Sequence, residues 1–244
     1  MNAPTLAVVI PSYRRLDRLP PLVSAYREQG ADQIVVVLDG PHPGWESVLD
    51  WVDGDDVRIV ALPRNLGLAR ARIAGLGATR ADVVLAVDDD VEPAPGLVER
   101  HRTFHSIRAD AVLLGYMPVA LPSRRGRDDA PTYLYARDYE RQAQVWDAGD
   151  SDAILGSLWG GNVSLGRELY LEAERMLASE RLEYNEDLDL GVRLMHVGAT
   201  ATFDRDAKAA HHHSRGLEPY LRECLARGGA IADLERRWAS GPRS

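Results

Sequence analysis

The sequence predicts an α/β fold built on a mostly parallel central sheet with helices on both faces. Short, continuous apolar runs alternate with helical patterns through the first half of the 244-residue chain, in the order β-α-β-α-β-α-β. These runs lack the polar-out alternation of a one-sided sheet, so their strands are expected to be buried on both faces. Three polar clusters, Pro11-Ser12-Tyr13, Asp39-Gly40 and Asp88 to Asp90, follow strands directly. Ligands of open α/β sheets bind beyond the carboxyl ends of the strands, so this convergence predicts a site there.

Each element has its own justification. "LAVVIPS" (Leu6 to Ser12) is short, β-branched and stopped by Pro11, which makes it the first buried strand. "RLPPLVSAYREQG" follows as a helix with Leu22, Val23 and Tyr26 on its apolar face, ended near Gly30. "QIVVVLDG" (Gln33 to Gly40) is the second strand, "WESVLDWV" a helix and "VRIVALP" the third strand. "LGLARARIAGLGATR" is a helix and "DVVLAVDDD" the fourth strand, and the "EPAPG" after it looks like a helix start. "AVLLGYMPVAL" continues the sheet, and "PSRRGRDDAP" is a polar, proline-flanked loop. "TYLYARDYERQAQVWDAG" predicts a helix or a lid, and "LWGGNVSLGRELYLEA" a turn, a short strand and a helix start. "EYNEDLDLGVRLMHVG" is a helix ended by Gly198, with Asn185 as its N-cap. "LEPYLRECLARGGAIADLERRW" is a helical tail interrupted at Gly228-Gly229. With no repeats and no clear linker, the expectation is one domain over 1–244, with a nucleotide-type half at 1–115 and an elaborated half at 116–244.

Composition narrows the function. A net charge of −8 argues against nucleic acid or an anionic membrane as the main partner, yet leaves room for a small anion neutralised locally. The single cysteine, Cys224, excludes an intrachain disulfide and suits a reducing compartment. The apolar run from Leu6 to Ile10 is too short for a signal peptide or a membrane span, so a soluble cytoplasmic protein is expected. A homodimer is left open.

The acidic run poses the chemical question. Asp88 and Asp90 are two apart, so in extended geometry they point the same way and Asp89 points opposite, where it would cap the following turn. Convergent carboxylates suit a hard divalent cation that keeps open positions for substrate phosphates. The alternative is a strand-end turn or a helix N-cap, favoured by the helix dipole. Asp-x-Asp at a strand end also occurs in phosphatases of the haloacid dehalogenase type. Those need a lysine before a downstream acidic pair, and the sole lysine here, Lys208, comes after Glu186-Asp187.

Further motifs fall into one order. "VVIPSYRR", "IVVVLDG", "RNLGLARARIAG", "VDDDVEPAPG", "WGGNVSLGRE" and "NEDLDLGVRL" succeed one another along the chain. In this order the sequence resembles the GT-A-type glycosyltransferases of family 2 over nearly its whole length. The resemblance implies a GT-A fold with a Rossmann-like nucleotide-binding half and an acceptor-binding half. It implies transfer of a sugar from a nucleoside diphosphate donor, UDP-sugar favoured, to an acceptor hydroxyl, inverting at the anomeric carbon and dependent on Mn²⁺ or Mg²⁺.

The same resemblance assigns roles. Tyr13 would stack near the base, with Pro11 and Ser12 contacting it; Pro11 equally ends a strand. Asp39 would accept the N–H of a base, although Leu38 stands where relatives often carry another aspartate. Arg72 would approach the base or diphosphate. Asp88, Asp89 and Asp90 belong to the nucleotide-sugar contacts, with Asp90 on the metal and Asp88 on the ribose or a metal-bound water. Of the histidines in "HHHSRG", His211 and His213 share a face if the segment is extended, and His212 faces away. A His-Ser-Arg triplet favours His213 as metal ligand, and the alternatives are a phosphate contact or simple packing. A mixed oxygen and nitrogen set suits Mn²⁺ better than Mg²⁺. Asp187 would be the general base and Glu186 an acceptor contact, against the alternative of a helix-dipole pair. Trp159, Gly160, Gly161 and Asn162 would shape the acceptor side, where glycines let backbone approach a sugar and Trp offers a stacking face. Tyr133, Tyr135, Tyr139 and Trp146 read as packing or as a surface for a bulky acceptor. The rivals are a non-catalytic nucleotide-sugar-binding protein, the phosphatase, and a retaining transferase on the same fold.

Overall fold

The computed structural model describes residues 3–46, 54–124, 126–176, 184–214 and 216–239. Its first strands are β1 (Leu6–Ser12), β2 (Gln33–Leu38), β3 (Val57–Ala61) and β4 (Val83–Val87). Helices α1 (Leu19–Glu28) and α2 (Leu68–Ala78) lie among them in sequence. All seven residues of β1 and all five of β4 are buried, as their unbroken apolar runs require. Burying each such Val, Leu or Ile contributes about 1.5–3 kcal/mol relative to leaving it in water, which fixes these strands at the centre. Leu22, Val23 and Tyr26 do face the core from α1.

The chain continues through β5 (Val91–Pro93), α3 (Leu97–Ile107), β6 (Ala111–Tyr116), α4 (Ala130–Ala148) and the short α5 (Ser151–Leu155). It ends with β7 (Asn162–Gly166), α6 (Arg167–Arg175), α7 (Glu186–His196), β8 (Thr200–His211) and α8 (Leu217–Ala239). The eight strands form one sheet in the order β3-β2-β1-β4-β7-β6-β8-β5. β3, β2, β1 and β4 are mutually parallel, and β6 runs parallel to β8. β7 is antiparallel to both of its neighbours, with Val87 opposite Asn162. The sheet is mixed and mostly parallel, as expected, with later strands extending the earlier ones.

Several local expectations are corrected. Val91–Pro93 is a strand, paired antiparallel with Ala209 to His211, so the acidic run does not cap a helix. Helix α3 starts only at Leu97, after Gly96. The tail is not interrupted at Gly228-Gly229, because α8 runs through both. Two helical glycines cost about 1 kcal/mol each relative to alanine. Contacts on both sides outweigh that cost: Asn185 donates to the Arg227 carbonyl (3.1 Å), and Trp238 stacks on His196 (4.7 Å). Asn185 stands at the N-cap position of α7 in the left-handed region (φ 59°), but its side chain caps nothing. "TYLYARDYERQAQVWDAG" is helical, within α4. Most of "WESVLDWV", with Glu183 and Arg215, lies outside the described residues. Among the described residues no helix is long and apolar enough to cross a membrane.

Candidate active site

At the carboxyl ends of β1, β2 and β4 the chain closes around a cavity of about 520 Å³. Pro11, Ser12 and Tyr13 enter it from the end of β1. The hydroxyl of Ser12 donates to Asp89 at 2.7 Å. Tyr13 is 40% exposed and meets His42 edge to face at 6.2 Å. The next residue, Arg14, is left-handed (φ 59°), and its N–H donates to His42 Nε2 at 2.7 Å. Since Nε2 accepts, His42 carries its proton on Nδ1, which reaches the Gly40 carbonyl at 2.7 Å. Asp39 lines the cavity with both oxygens engaged, accepting the N–H groups of Leu66 (2.7 Å) and Gly67 (2.9 Å). It therefore shapes the 65–67 turn as well as the cavity wall.

The acidic run departs from simple alternation because extended structure stops at Val87. Asp88, Asp89 and Asp90 all line the cavity, each on a different partner. Asp88 accepts from Arg72 at 2.8 Å. Asp89 caps no turn; it accepts from Ser12 and from Arg15 Nη1 (2.8 Å). Asp90 accepts from the same Nη1 at 2.9 Å and lies 3.3 Å from His211 Nε2. Burial raises the Asp89 carboxyl above its ordinary value, against Ser12 and Arg15. Burial would do the same to Asp90, but His211 and Arg15 together hold it well below the usual carboxylate range.

The histidines divide as their alternation predicts. His211 and His213 are buried on the cavity wall, and His212 turns outward to Glu92 at 2.7 Å. His211 keeps a buried Nδ1 without a partner. His213 stacks on Tyr135 at 4.1 Å. Among the described residues no three His, Cys, Asp or Glu side chains are grouped to hold a metal by themselves. Two donors on one ion at about 2.1 Å stand roughly 3.0–3.4 Å apart, and Asp90 Oδ1 and His211 Nε2 have that separation. The pair would fit a divalent ion as two of its ligands.

Arg72, on α2, is buried between the two acidic groups. One Nη meets Asp88 at 2.8 Å and the other meets Glu186 at 3.1 Å. This differs from an arginine held free for a ligand. Glu186 and Asp187 open α7 and face the cavity. Asp187 accepts the N–H groups of Gly160 and Leu188, both at 2.9 Å. Burial, then the charge of Asp187, pushes the Glu186 carboxyl up, with Arg72 opposing. Burial also raises Asp187, against the Gly160 N–H and Arg72.

Both glycines between Trp159 and β7 sit in close approach to other side chains. A Cβ on Gly160 would stand 2.7 Å from both Nη atoms of Arg72. One on Gly161 (φ 106°) would stand 2.8 Å from Asp88. Trp159 lines the cavity beside Tyr135 (5.6 Å between rings). Asn162 does not: it is fully buried within the sheet, bonded to His101 (3.0 Å) and the Ala207 carbonyl (2.9 Å).

The cavity also holds residues that sequence reasoning missed. Arg15 was visible only as the second arginine of "YRR", three residues past Ser12. Tyr135 reads from the sequence mainly as packing, yet its ring lies on the cavity wall. Glu223 and Arg227 arrive from α8, paired at 2.7 Å, and no local signal announces them. Lys208 is exposed on β8 and takes no part.

The sequence profile of the family described as "Glycosyl transferase family 2" matches residues 7–170. A pre-mycofactocin glycosyltransferase of Mycobacterium tuberculosis is 27% identical over 95% of this chain and 48% of its own length. An N-acetylglucosaminyltransferase of Mesorhizobium japonicum is 26% identical over 91% of this chain and 54% of its own. The chain thus spans about half the length of these curated relatives. Among solved structures, S. aureus TarS 1–349 superposes with a TM-score of 0.64 at 15% identity, covering 97% of this chain and 72% of that one. Mannosyltransferase PcManGT from Pyrobaculum calidifontis, in complex with GDP-Man and Mn²⁺, gives 0.63 at 15%, covering 99% and 77%. At these identities the structural likeness is one of fold.

Proposed function

The chain belongs to glycosyl transferase family 2, and from that premise we propose that it is a metal-dependent, inverting transferase acting on a nucleoside diphosphate sugar and an acceptor hydroxyl. One observation carries the reading. Arg72 spans Asp88 and Glu186, so the acidic run at the nucleotide end and the acidic pair of α7 lie within one guanidinium of each other. A sugar attached to a diphosphate at Asp88 to Asp90 would then present its anomeric carbon to a hydroxyl at Glu186 and Asp187.

Each residue has a definable task. Tyr13 offers an exposed ring face for a base, and Asp39 retains lone pairs beyond those given to Leu66 and Gly67. Asp90 and His211, with Asp88 and His213 nearby on the wall, would hold Mn²⁺ or Mg²⁺. When bound, that ion supplies Lewis-acid stabilisation of the negative charge on the departing diphosphate. Asp187 takes the proton of the attacking hydroxyl, its carboxylate oriented by Gly160 and Leu188. Glu186 positions the acceptor and, through Arg72, stays aligned with Asp88. A single displacement with one base inverts the anomeric centre. Trp159 and Gly160 form the acceptor wall.

PcManGT carries GDP-Man and Mn²⁺ in its structure, which keeps GDP-sugars beside the UDP-sugars favoured by the sequence. The test is a thermal-shift series with UDP, GDP and dTDP, each with Mn²⁺ and with EDTA, followed by transfer assays on the responsive donor. Stabilisation by one nucleotide only with Mn²⁺ is expected. Asp187→Asn should abolish transfer while retaining donor binding; lost donor binding with retained turnover overturns the base assignment.

A further inference from the structure

Arg15 is the basic side chain that touches two members of the acidic run at once. Its Nη1 lies 2.8 Å from Asp89 and 2.9 Å from Asp90, and Arg18 adds a second guanidinium 3.6 Å from Asp90. We propose that Arg15 is a resident counter-cation of Asp89 and Asp90, which opposes divalent metal binding until a nucleoside diphosphate draws its guanidinium away. Metal and nucleotide would then bind as a coupled pair. This inference rests on the metal-dependent reading given above.

The contrast with Arg72 supports it. The Arg72 side chain is 6% exposed and held at both ends of its guanidinium, so it is fixed. The Arg15 side chain is 40% exposed, while the carboxylates it touches are only 8% and 10% exposed. The arginine can therefore swing outward, and the aspartates cannot follow.

A divalent ion on Asp90 would meet the positive charge of Arg15 on the other oxygen of the same carboxylate. The two charges repel across a nearly buried carboxylate, which weakens binding of the ion while the arginine stays. A diphosphate changes the balance. Its oxygens match the planar fork of a guanidinium, so Arg15 exchanges two carboxylate contacts for phosphate contacts. The freed carboxylates then face the ion. By linkage, whatever factor nucleotide gives to metal affinity, metal gives to nucleotide affinity.

The experiment measures Mn²⁺ binding directly, through the paramagnetic resonance signal of free Mn²⁺ and by calorimetry. The full chain is used as wild type, Arg15→Lys and Arg15→Gln, each with and without UDP or GDP. Wild type should bind Mn²⁺ weakly alone and about tenfold or more tightly with its nucleotide. Arg15→Gln should bind Mn²⁺ alone about tenfold more tightly than wild type, and the gain from nucleotide should shrink. Arg15→Lys keeps the charge and should remain close to wild type.

If a folded Arg15→Gln protein, matched to wild type in circular dichroism, binds Mn²⁺ alone no better than wild type, the counter-cation role is overturned. Arg15→Ala repeats the comparison without a hydrogen-bonding side chain. A wild-type chain that takes up no Mn²⁺ with any nucleotide overturns the metal reading and this inference with it. Nucleotide-dependent Mn²⁺ uptake that Arg15→Gln leaves unchanged overturns this inference alone.

Discussion

Asp187 accepts the backbone N–H of Gly160 at 2.9 Å, so the acidic pair of α7 is aimed by a loop that belongs to the sheet. The carboxylate and the loop are registered together, and a disturbance in either reaches the other.

Gly160→Ala tests that registration. Its Cβ would stand 2.7 Å from two nitrogens of a buried arginine already bonded on both sides, so Arg72 has to shift. A displacement of this size at a reacting centre costs on the order of 10²-fold in rate. Steady-state kinetics should show kcat/KM falling by about that factor, with circular dichroism unchanged. Full activity would mean that Arg72 does not need its present position.

The pH dependence follows from burial. Both Glu186 and Asp187 are raised above ordinary carboxylate values, so either one, acting as the proposed base, would lose its proton at higher pH than an exposed carboxyl. The rising limb of kcat/KM should lie above the usual carboxylate range, shifted toward neutrality. Stability runs the other way. A group whose folded value is raised binds more protons when folded, so its contribution is fully present below the unfolded value and is lost as pH climbs through the folded one. Kinetics from acid to neutral pH that plateau already in the usual carboxylate range would contradict this.

Asp189 should be the costliest carboxylate to remove for stability. It is almost fully buried and accepts from Arg193 (3.1 Å), Trp238 (3.2 Å) and Arg237 (3.3 Å). Asp189→Ala leaves the buried Arg193 with Glu174 (3.0 Å) and the Ala173 carbonyl but takes the acceptor from Arg237 and Trp238, at a cost of about 1–3 kcal/mol. Urea unfolding measures it directly. A loss below about 1 kcal/mol would place this network among weak surface pairs.

Much of the fold was legible because it is written locally. Unbroken apolar runs ending in Ser12, Asp39 and Asp88 told where strands stop and which ends carry polar groups. Periodicity cannot tell which distant segment pairs with which. The strand at Val91–Pro93 exists because β8 lies beside it, and propensity at "EPAPG" pointed to a helix. Gly228-Gly229 signalled a break, and tertiary anchors to α7 overrode it. In the candidate site, the cavity positions of Pro11, Ser12, Tyr13, Asp39, the three aspartates, Glu186 and Asp187 were readable from motif order. Asn162 lies in the sheet interior and not on the cavity wall because one residue of alternation decides between the two. Arg15 and Arg227 escaped because a lone arginine carries no pattern.

The reversed strand β7 has a geometric effect on what the site can recruit. In a wholly parallel sheet, only segments that leave a strand arrive at the carboxyl edge; segments that enter one start at the opposite edge. Because β7 runs against β4, with Val87 opposite Asn162, the residues just before β7 meet the residues just after β4. Gly161 therefore faces Asp88 across a single pairing, though the two are far apart in sequence. This inverted strand gives the edge an incoming loop beside an outgoing one, so residues far apart in sequence share one rim.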